Sequence, residues 1–166
     1  VKKGTSVDAM IEQSGRVVVE AGYANECTSK QIEMEITPHT AALLYVKSHH
    51  AVQKSMISIE EMVQIAKNNN VPLIIDAAAE ADLFKYIKMG ADLVIYSGGK
   101  AIEGPSSGLI LGKREYIRWI QMKNKGLGRS MKIGKDNILG LVAAIETYLE
   151  HGSESGEAMT DRLTTF

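Results

Sequence analysis

Residues 91–113 read ADLVIYSGGKAIEGPSSGLILGK. The apolar run Leu93-Val94-Ile95-Tyr96 stops at Ser97-Gly98-Gly99, and one lysine, Lys100, follows. After a Gly-, Pro- and Ser-rich loop a second run, Leu109-Ile110-Leu111, begins. Apolar runs without period-two alternation belong to strands covered on both faces of a sheet. The connection from Tyr96 to Leu109 is too short for a helical crossover, so the second strand is expected to run antiparallel to its neighbours.

Working outward, Val71-Pro72-Leu73-Ile74-Ile75, Ala42-Leu43-Leu44-Tyr45-Val46 and Arg16-Val17-Val18-Val19-Glu20 are runs of the same kind. Helical patterns separate them. Ser58-Ile59-Glu60-Glu61 has the spacing of a capping box, in which the Ser58 hydroxyl accepts from the Glu61 N–H and Glu61 reaches back. Ile59, Met62, Val63 and Ala66 then fall on one face, and Asn68-Asn69-Asn70 ends the helix. A second helix is expected from about Glu80 to Met89, ending at Gly90, and two more over 114–124 and 134–150. The last is amphipathic through Ile138, Leu141, Val142, Ile145 and Leu149. Strand–helix alternation of this kind predicts a three-layer α/β/α domain with a mostly parallel sheet and one antiparallel strand.

The bulk properties narrow the function. The 166 residues suit one domain with a real core, and 45 % hydrophobic with 23 % charged residues is an ordinary globular mix. The 19 Lys and Arg against 20 Asp and Glu give no global field for nucleic acid or an acidic membrane. No apolar run approaches the roughly 20 residues that span a bilayer. A lone cysteine, Cys27, excludes an internal disulfide framework and fits a reducing, cytoplasmic setting.

In open α/β sheets ligands sit beyond the carboxyl ends of the strands. Three such ends carry polar groups here: Lys47-Ser48-His49-His50, Asp76, and Ser97-Gly98-Gly99-Lys100. A phosphate-binding P-loop fails at Gly99-Lys100, because position 94 is Val and position 101 is Ala. The dinucleotide pattern G-x-G-x-x-G is absent, and the four histidines form no i, i+4 metal pair with a glutamate. A lysine in a poorly solvated pocket is a nucleophile toward an aldehyde, and an aspartate can hold a pyridinium nitrogen protonated. Asp76 and Lys100 supply both groups. The plainer alternative is that Asp76 caps a turn and Lys100 is a solvated loop lysine.

The stretches LIIDAAAE and GADLVIYSGGKAIEGPSSGLILGK, with KSHHAVQKS and GRSMKIGKDN, resemble the pyridoxal 5'-phosphate (PLP) enzymes of the aspartate-aminotransferase fold, fold type I. More narrowly they resemble the selenocysteine synthase-like branch and, within it, the D-glucosaminate-6-phosphate ammonia-lyases. The resemblance runs from about Gly15 to Glu150. It implies that Lys100 carries PLP as a Schiff base and that Asp76 pairs with the pyridine nitrogen. Ser97 is then placed near the phosphate or the Schiff base, and His50 near the cofactor's 3′-oxygen. Ser106 and Ser107, in the Gly104-Pro105-Ser106-Ser107 loop, would approach a cofactor phosphate across a dimer interface. Arg129 and Lys132 would meet a phosphorylated or carboxylate substrate. Each has a simpler reading as a strand end, a turn or a solvated loop.

The implied reaction is elimination of water and ammonia from a small-molecule hydroxy-amino acid, an amino-sugar acid phosphate, giving a 2-keto acid. The alternatives are an L-seryl-tRNA(Sec) selenium transferase-like enzyme, a non-catalytic α/β binding domain, or an unrelated nucleotide-binding module. The even charge balance does not suggest a tRNA partner. The family's phosphate-cradling Gly/Ala-rich loop has no counterpart in residues 1–15, and the resemblance stops near Glu150. Residues 1–150 are therefore expected to be a segment of a PLP-binding large domain, with 151–166 leading to a small domain outside this sequence. Uncovered apolar faces should then make the chain a dimer or higher homo-oligomer.

Overall fold

Four of the five apolar runs pair into one sheet. The computed structural model describes residues 7–23, 26–47 and 55–151. The elements are α1 (Val7–Glu12), α2 (Ser29–Glu35), β1 (Leu43–Val46), α3 (Ile59–Asn69), β2 (Leu73–Asp76), α4 (Lys85–Met89), β3 (Leu93–Ser97), β4 (Gly108–Gly112), α5 (Arg114–Lys123), a 3-10 turn (Leu127–Met131) and α6 (Lys135–His151). The sheet order is β1-β2-β3-β4, with β1, β2 and β3 parallel and β4 antiparallel to β3. The mostly parallel sheet with one reversed edge strand is the expected fold class.

The fifth run departs from expectation. Residues 16–20 form no strand, and Val17 and Val19 are exposed. β-branched residues favour strands only where a neighbouring strand offers packing and hydrogen bonds, and this run has none among the described residues. The helix expected from Glu80 starts only at Lys85, because the Asp82 carboxylate accepts from the Phe84 and Lys85 N–H groups and fixes the first turn there. It ends as expected at Gly90, whose φ of 113° an L side chain rarely adopts. α2 was not anticipated, although Thr28 and Gln31 form a complete capping box at its start.

α3 forms as its sequence dictates. Ser58 and Glu61 close the capping box, Asn70 ends the helix in the left-handed conformation, and Ile59, Met62, Val63, Ile65 and Ala66 are buried. The Ser58 hydrogen bonds also hold the Glu61 carboxyl below its ordinary pKa.

Register and alternation put Tyr45, Leu73, Ile75, Val94 and Tyr96 on one sheet face. These residues join α3, Tyr86 of α4 and Leu141 of α6 in the core, with Ala144, Ile145 and Tyr148 packed against it. The opposite face presents Leu44, Val46, Ile74, Asp76, Leu93, Ile95, Ser97 and Ile110. Leu44, Val46 and Ile110 are more than a third exposed. α6 is less regular than its pattern suggested: Leu141 is buried, whereas Ile138, Val142 and Leu149 face solvent. No helix among the described residues is long and apolar enough to cross a membrane.

Candidate active site

Asp76 ends β2, and Ser97 ends β3 beside it. Asp76 is in register with Ile95, so Asp76 and Ser97, two residues further on, fall on the same sheet face. That face is the one the core helices leave open. The loops that follow the two strands are stitched together: Ala77 N–H donates to Ile95 O at 2.9 Å and Ser97 N–H to Ala78 O at 3.2 Å. Asp76 Oδ1 accepts from Ala78 N–H at 3.1 Å, which fixes the half-buried carboxyl at the strand end. Its other oxygen has no hydrogen-bond partner among the described residues. The turn-capping reading of Asp76 is thus correct for one oxygen.

Lys100 projects from the turn that closes β3. Its N–H donates to Ser97 O at 3.4 Å, and its carbonyl accepts from Glu103 N–H at 2.9 Å. The ammonium is exposed rather than held in a poorly solvated pocket, and no ion pair or side-chain hydrogen bond holds it among the described residues. Glu103 sits at φ 57°, a conformation costly for a residue with a Cβ, so this turn is tightly determined by its surroundings.

The glycines explain how the turn is packed. A Cβ on Gly98 would lie 2.1 Å from Ser107 Oγ and 2.9 Å from Leu141 Cδ1. A Cβ on Gly99 would meet Gly104 O at 3.5 Å and Pro105 O at 3.7 Å, ordinary contacts with the loop that follows Lys100. Gly98 N–H donates to Ser107 O at 2.9 Å and Gly104 N–H to Gly98 O at 2.7 Å. The Ser107 hydroxyl donates to Pro105 O at 2.7 Å, within its own loop. Ser106 has an exposed side chain, and its carbonyl accepts from Asn137 of α6.

The structure therefore gathers Asp76, Ser97, Lys100, Ser106 and Ser107 at one edge of the sheet. Arg129 lies in the 3-10 turn and Lys132 just after it; both are exposed, with no side-chain partner among the described residues. His50, with most of KSHHAVQKS, lies outside the described residues, as does nearly all of 151–166.

Sequence reasoning missed the supports of this edge. Tyr96 OH donates to Asp82 O at 3.0 Å, Tyr86 OH to Glu80 Oε2 at 2.6 Å, and Leu83 N–H donates to Tyr148 OH at 3.4 Å. Three tyrosines thus pin the loop that follows Asp76. Burial pushes the Tyr96 phenol up to about 12, with nearby Asp82 adding to the shift, and raises Tyr86 further, with help from Glu80. A second feature missed is local charge: residues 113–135 carry eight Lys and Arg against the single acid Glu115. Net charge over the whole chain hid it.

Comparison with known proteins places these observations in a family. The family model of SelA, L-seryl-tRNA selenium transferase, matches residues 4–166. The D-glucosaminate-6-phosphate ammonia lyase of Salmonella typhimurium is 50 % identical over 148 residues, 89 % of this chain and 40 % of that protein. A 5'-C-glycyluridine monooxygenase-decarboxylase from a Streptomyces species is 38 % identical over 163 residues, 95 % of this chain and 41 % of that protein. A solved structure of D-glucosaminate-6-phosphate ammonia-lyase superposes with a TM-score of 0.76 at 52 % identity, over 81 % of this chain and 36 % of that one. The chain thus spans about two fifths of the length of the curated relatives it matches.

Proposed function

This chain belongs to the L-seryl-tRNA selenium transferase family, and we propose that it is the PLP-binding segment of a lyase that eliminates water from an amino-sugar acid phosphate and then takes up one water to release ammonia, a net loss of ammonia. The observation that carries the reading is the stitched edge of β2 and β3, where a carboxylate and an exposed lysine emerge from adjacent strand ends. The identity with the Salmonella lyase over this same segment supports the substrate class. Residues 1–150 are proposed as part of the large domain, in a cytoplasmic homo-oligomer. Support for the oligomer comes from exposed apolar side chains on the open sheet face and on α6.

The donor set fits PLP. Asp76 has one oxygen fixed by Ala78 and one available for a protonated ring nitrogen, while Lys100 offers an exposed amine from the turn after the neighbouring strand. When bound, PLP supplies an electron sink for negative charge at the substrate's α-carbon. Lys100 then takes the α-proton on its Nζ. The hydroxyl at the β-carbon leaves with a proton as water, and hydrolysis of the remaining C–N bond consumes one water and releases ammonia, leaving a 2-keto acid. Asp76 would hold the ring nitrogen protonated. Ser97, on the same face as Asp76, and Ser106 are proposed as polar contacts to the cofactor. Ser107 is proposed there as well, its hydroxyl turning from Pro105 O. His50 is proposed near the 3′-oxygen, and Arg129 and Lys132 as the groups that meet substrate phosphate or carboxylate.

The test is a visible spectrum of the whole protein with PLP, followed by borohydride reduction and peptide mapping. A pyridoxyl group fixed on Lys100 supports the assignment; fixation elsewhere, or none, overturns it. The basic run over 113–135 favours a second reading, in which the substrate is carried on tRNA. Salt-dependent tRNA binding, absent when Lys123 and Lys125 are changed to Glu, would favour that reading; no binding would leave the small substrate.

A further inference from the structure

α6 meets the Lys100 turn along four positions. Asn137 Nδ2 donates to Ser106 O at 2.8 Å, across 31 residues of sequence. One turn on, Gly140 faces Pro105 so closely that a Cβ there would lie 3.0 Å from Pro105 Cγ and 3.3 Å from its Cδ. Leu141 Cδ1 underlies both Gly98 and Gly104, and Ala144 Cβ underlies Gly104. The 104–107 loop is therefore held between α6 and the turn that carries Lys100. It passes its position on through two backbone hydrogen bonds, Gly98 N–H to Ser107 O and Gly104 N–H to Gly98 O.

We propose that Asn137 is a positioning residue for Lys100, acting through Ser106 and the Gly98–Gly104 hydrogen bonds, and that Gly140 is the clearance that lets the loop seat on α6. This deepens the proposed function and rests on Lys100 being the PLP lysine. Asn137 touches neither substrate nor cofactor. Its amide is the only side-chain hydrogen bond from α6 to the loop among the described residues, and Pro105 seats where α6 has no side chain. Proline and glycine contacts fix how far the loop can approach; the amide fixes where along α6 it stops.

The variant Asn137→Asp keeps the shape and exchanges the donor for an acceptor that repels Ser106 O while ionised. Amide hydrogen exchange in the whole protein without PLP is the first readout. Protection at Gly98 and Gly104 should fall on the order of five-fold at neutral pH, the usual worth of one such hydrogen bond. Protection at Ile75, in the core of β2, should stay unchanged. As pH falls toward about 4, the introduced carboxyl regains a proton and a donor, and the lost protection should return. The second readout is the rate of borohydride-fixed pyridoxyl formation at Lys100, expected to fall in step with protection. Gly140→Ala should lower both readouts without pH-dependent recovery. Unchanged protection at Gly98 and Gly104 in Asn137→Asp overturns the inference. So does lost protection with an unchanged rate at Lys100. If the wild-type protein forms no adduct at Lys100, the proposed function itself falls, and the hydrogen-exchange arm still separates that failure from a failure of the α6 coupling.

Discussion

The two ends of β3 carry the same pair of residue types in opposite conditions. At the amino end Asp92 is buried, accepts from Leu73 N–H at 2.8 Å through Oδ2, and meets Lys113 Nζ at 2.5 Å through Oδ1. Lys113 N–H also donates to Asp92 O at 2.9 Å, so the start of α5 is tied to the start of β3. That contact raises the Lys113 pKa through its hydrogen bond and charge attraction to Asp92. At the carboxyl end Asp76 is half-buried with one oxygen committed, and the Lys100 ammonium has no partner among the described residues. A carboxylate and an ammonium that satisfy each other brace the fold. The same groups held on adjacent loops without pairing are available to a third party.

The largest effects should separate the two lysines. Lys100→Ala should lower the activity of the whole protein by about 10²–10⁴-fold, the range for losing a proton-transfer group, and more if covalent attachment is also lost. Its unfolding free energy should change by no more than about 0.5 kcal/mol, as for an exposed side chain without partners. Lys113→Ala should do the reverse, with turnover near wild type and a lower denaturation midpoint. Steady-state rates and urea titrations on both variants check this. Lys113→Ala abolishing turnover, with Lys100→Ala unfolding the chain, would exchange the two roles and break the comparison.

The aspartates sharpen it next. Asp92→Ala leaves the N–H of fully buried Leu73 without its acceptor, a loss of about 1–3 kcal/mol. It should not alter PLP attachment at the far end. Asp76→Ala frees only Ala78 N–H, in a part-buried turn, so its stability loss should be smaller while the visible spectrum with PLP changes. Equal destabilisation by both would mean that Asp76 is structural.

A matched pair of glycines probes the turn itself. Gly98→Ala forces a methyl against Ser107 Oγ and Leu141, at a cost of about 1–3 kcal/mol and with displacement of Lys100. Gly99→Ala meets ordinary contacts and should fold normally. Its effect should appear instead as weaker PLP attachment, since the methyl adds bulk on the exposed backbone next to the lysine. Thermal melts and PLP titrations of the two variants give opposite rankings if the turn works as described.

What was legible in the sequence follows the range of the interaction. β3, β4 and their antiparallel pairing are written in the twenty residues from Leu93 to Gly112, because a short connection leaves no room for a crossover. α3 is written in its capping box and apolar stripe, since both lie within one helix. The run 16–20 misleads because strand propensity says nothing of whether a neighbour exists. The stripe on α6 is only partly inward: Leu141 and Ile145 meet the core while Ile138, Val142 and Leu149 stay exposed, a split that a single helix's pattern cannot reveal. Asp76 and Lys100 were legible as strand-end residues, but the stitching between their loops runs from Ser97 to Ala78 and has no local signature. Asn137 and Tyr148 were invisible for the same reason: each reaches a loop dozens of residues upstream.

The smallest expected effect concerns pH. Tyr96 is buried and its hydroxyl donates to Asp82 O, an interaction the phenolate cannot make. Its pKa in the folded chain is about 12, above the ordinary 10, so the protonated form is favoured by folding. The stability it contributes is fully present below pH 10 and is lost as pH rises through about 12. Urea titrations across that window should show stability falling, and Tyr96→Phe should flatten the fall while losing about 1 kcal/mol at neutral pH. Lys113, its pKa raised as well, loses its charge in the same direction at high pH, so the measurement belongs in a Lys113→Ala background. A slope that persists unchanged in the double variant would place the alkaline weakness at neither of these groups and shift attention to Tyr86, whose pKa is raised more strongly by burial and the Glu80 carboxylate.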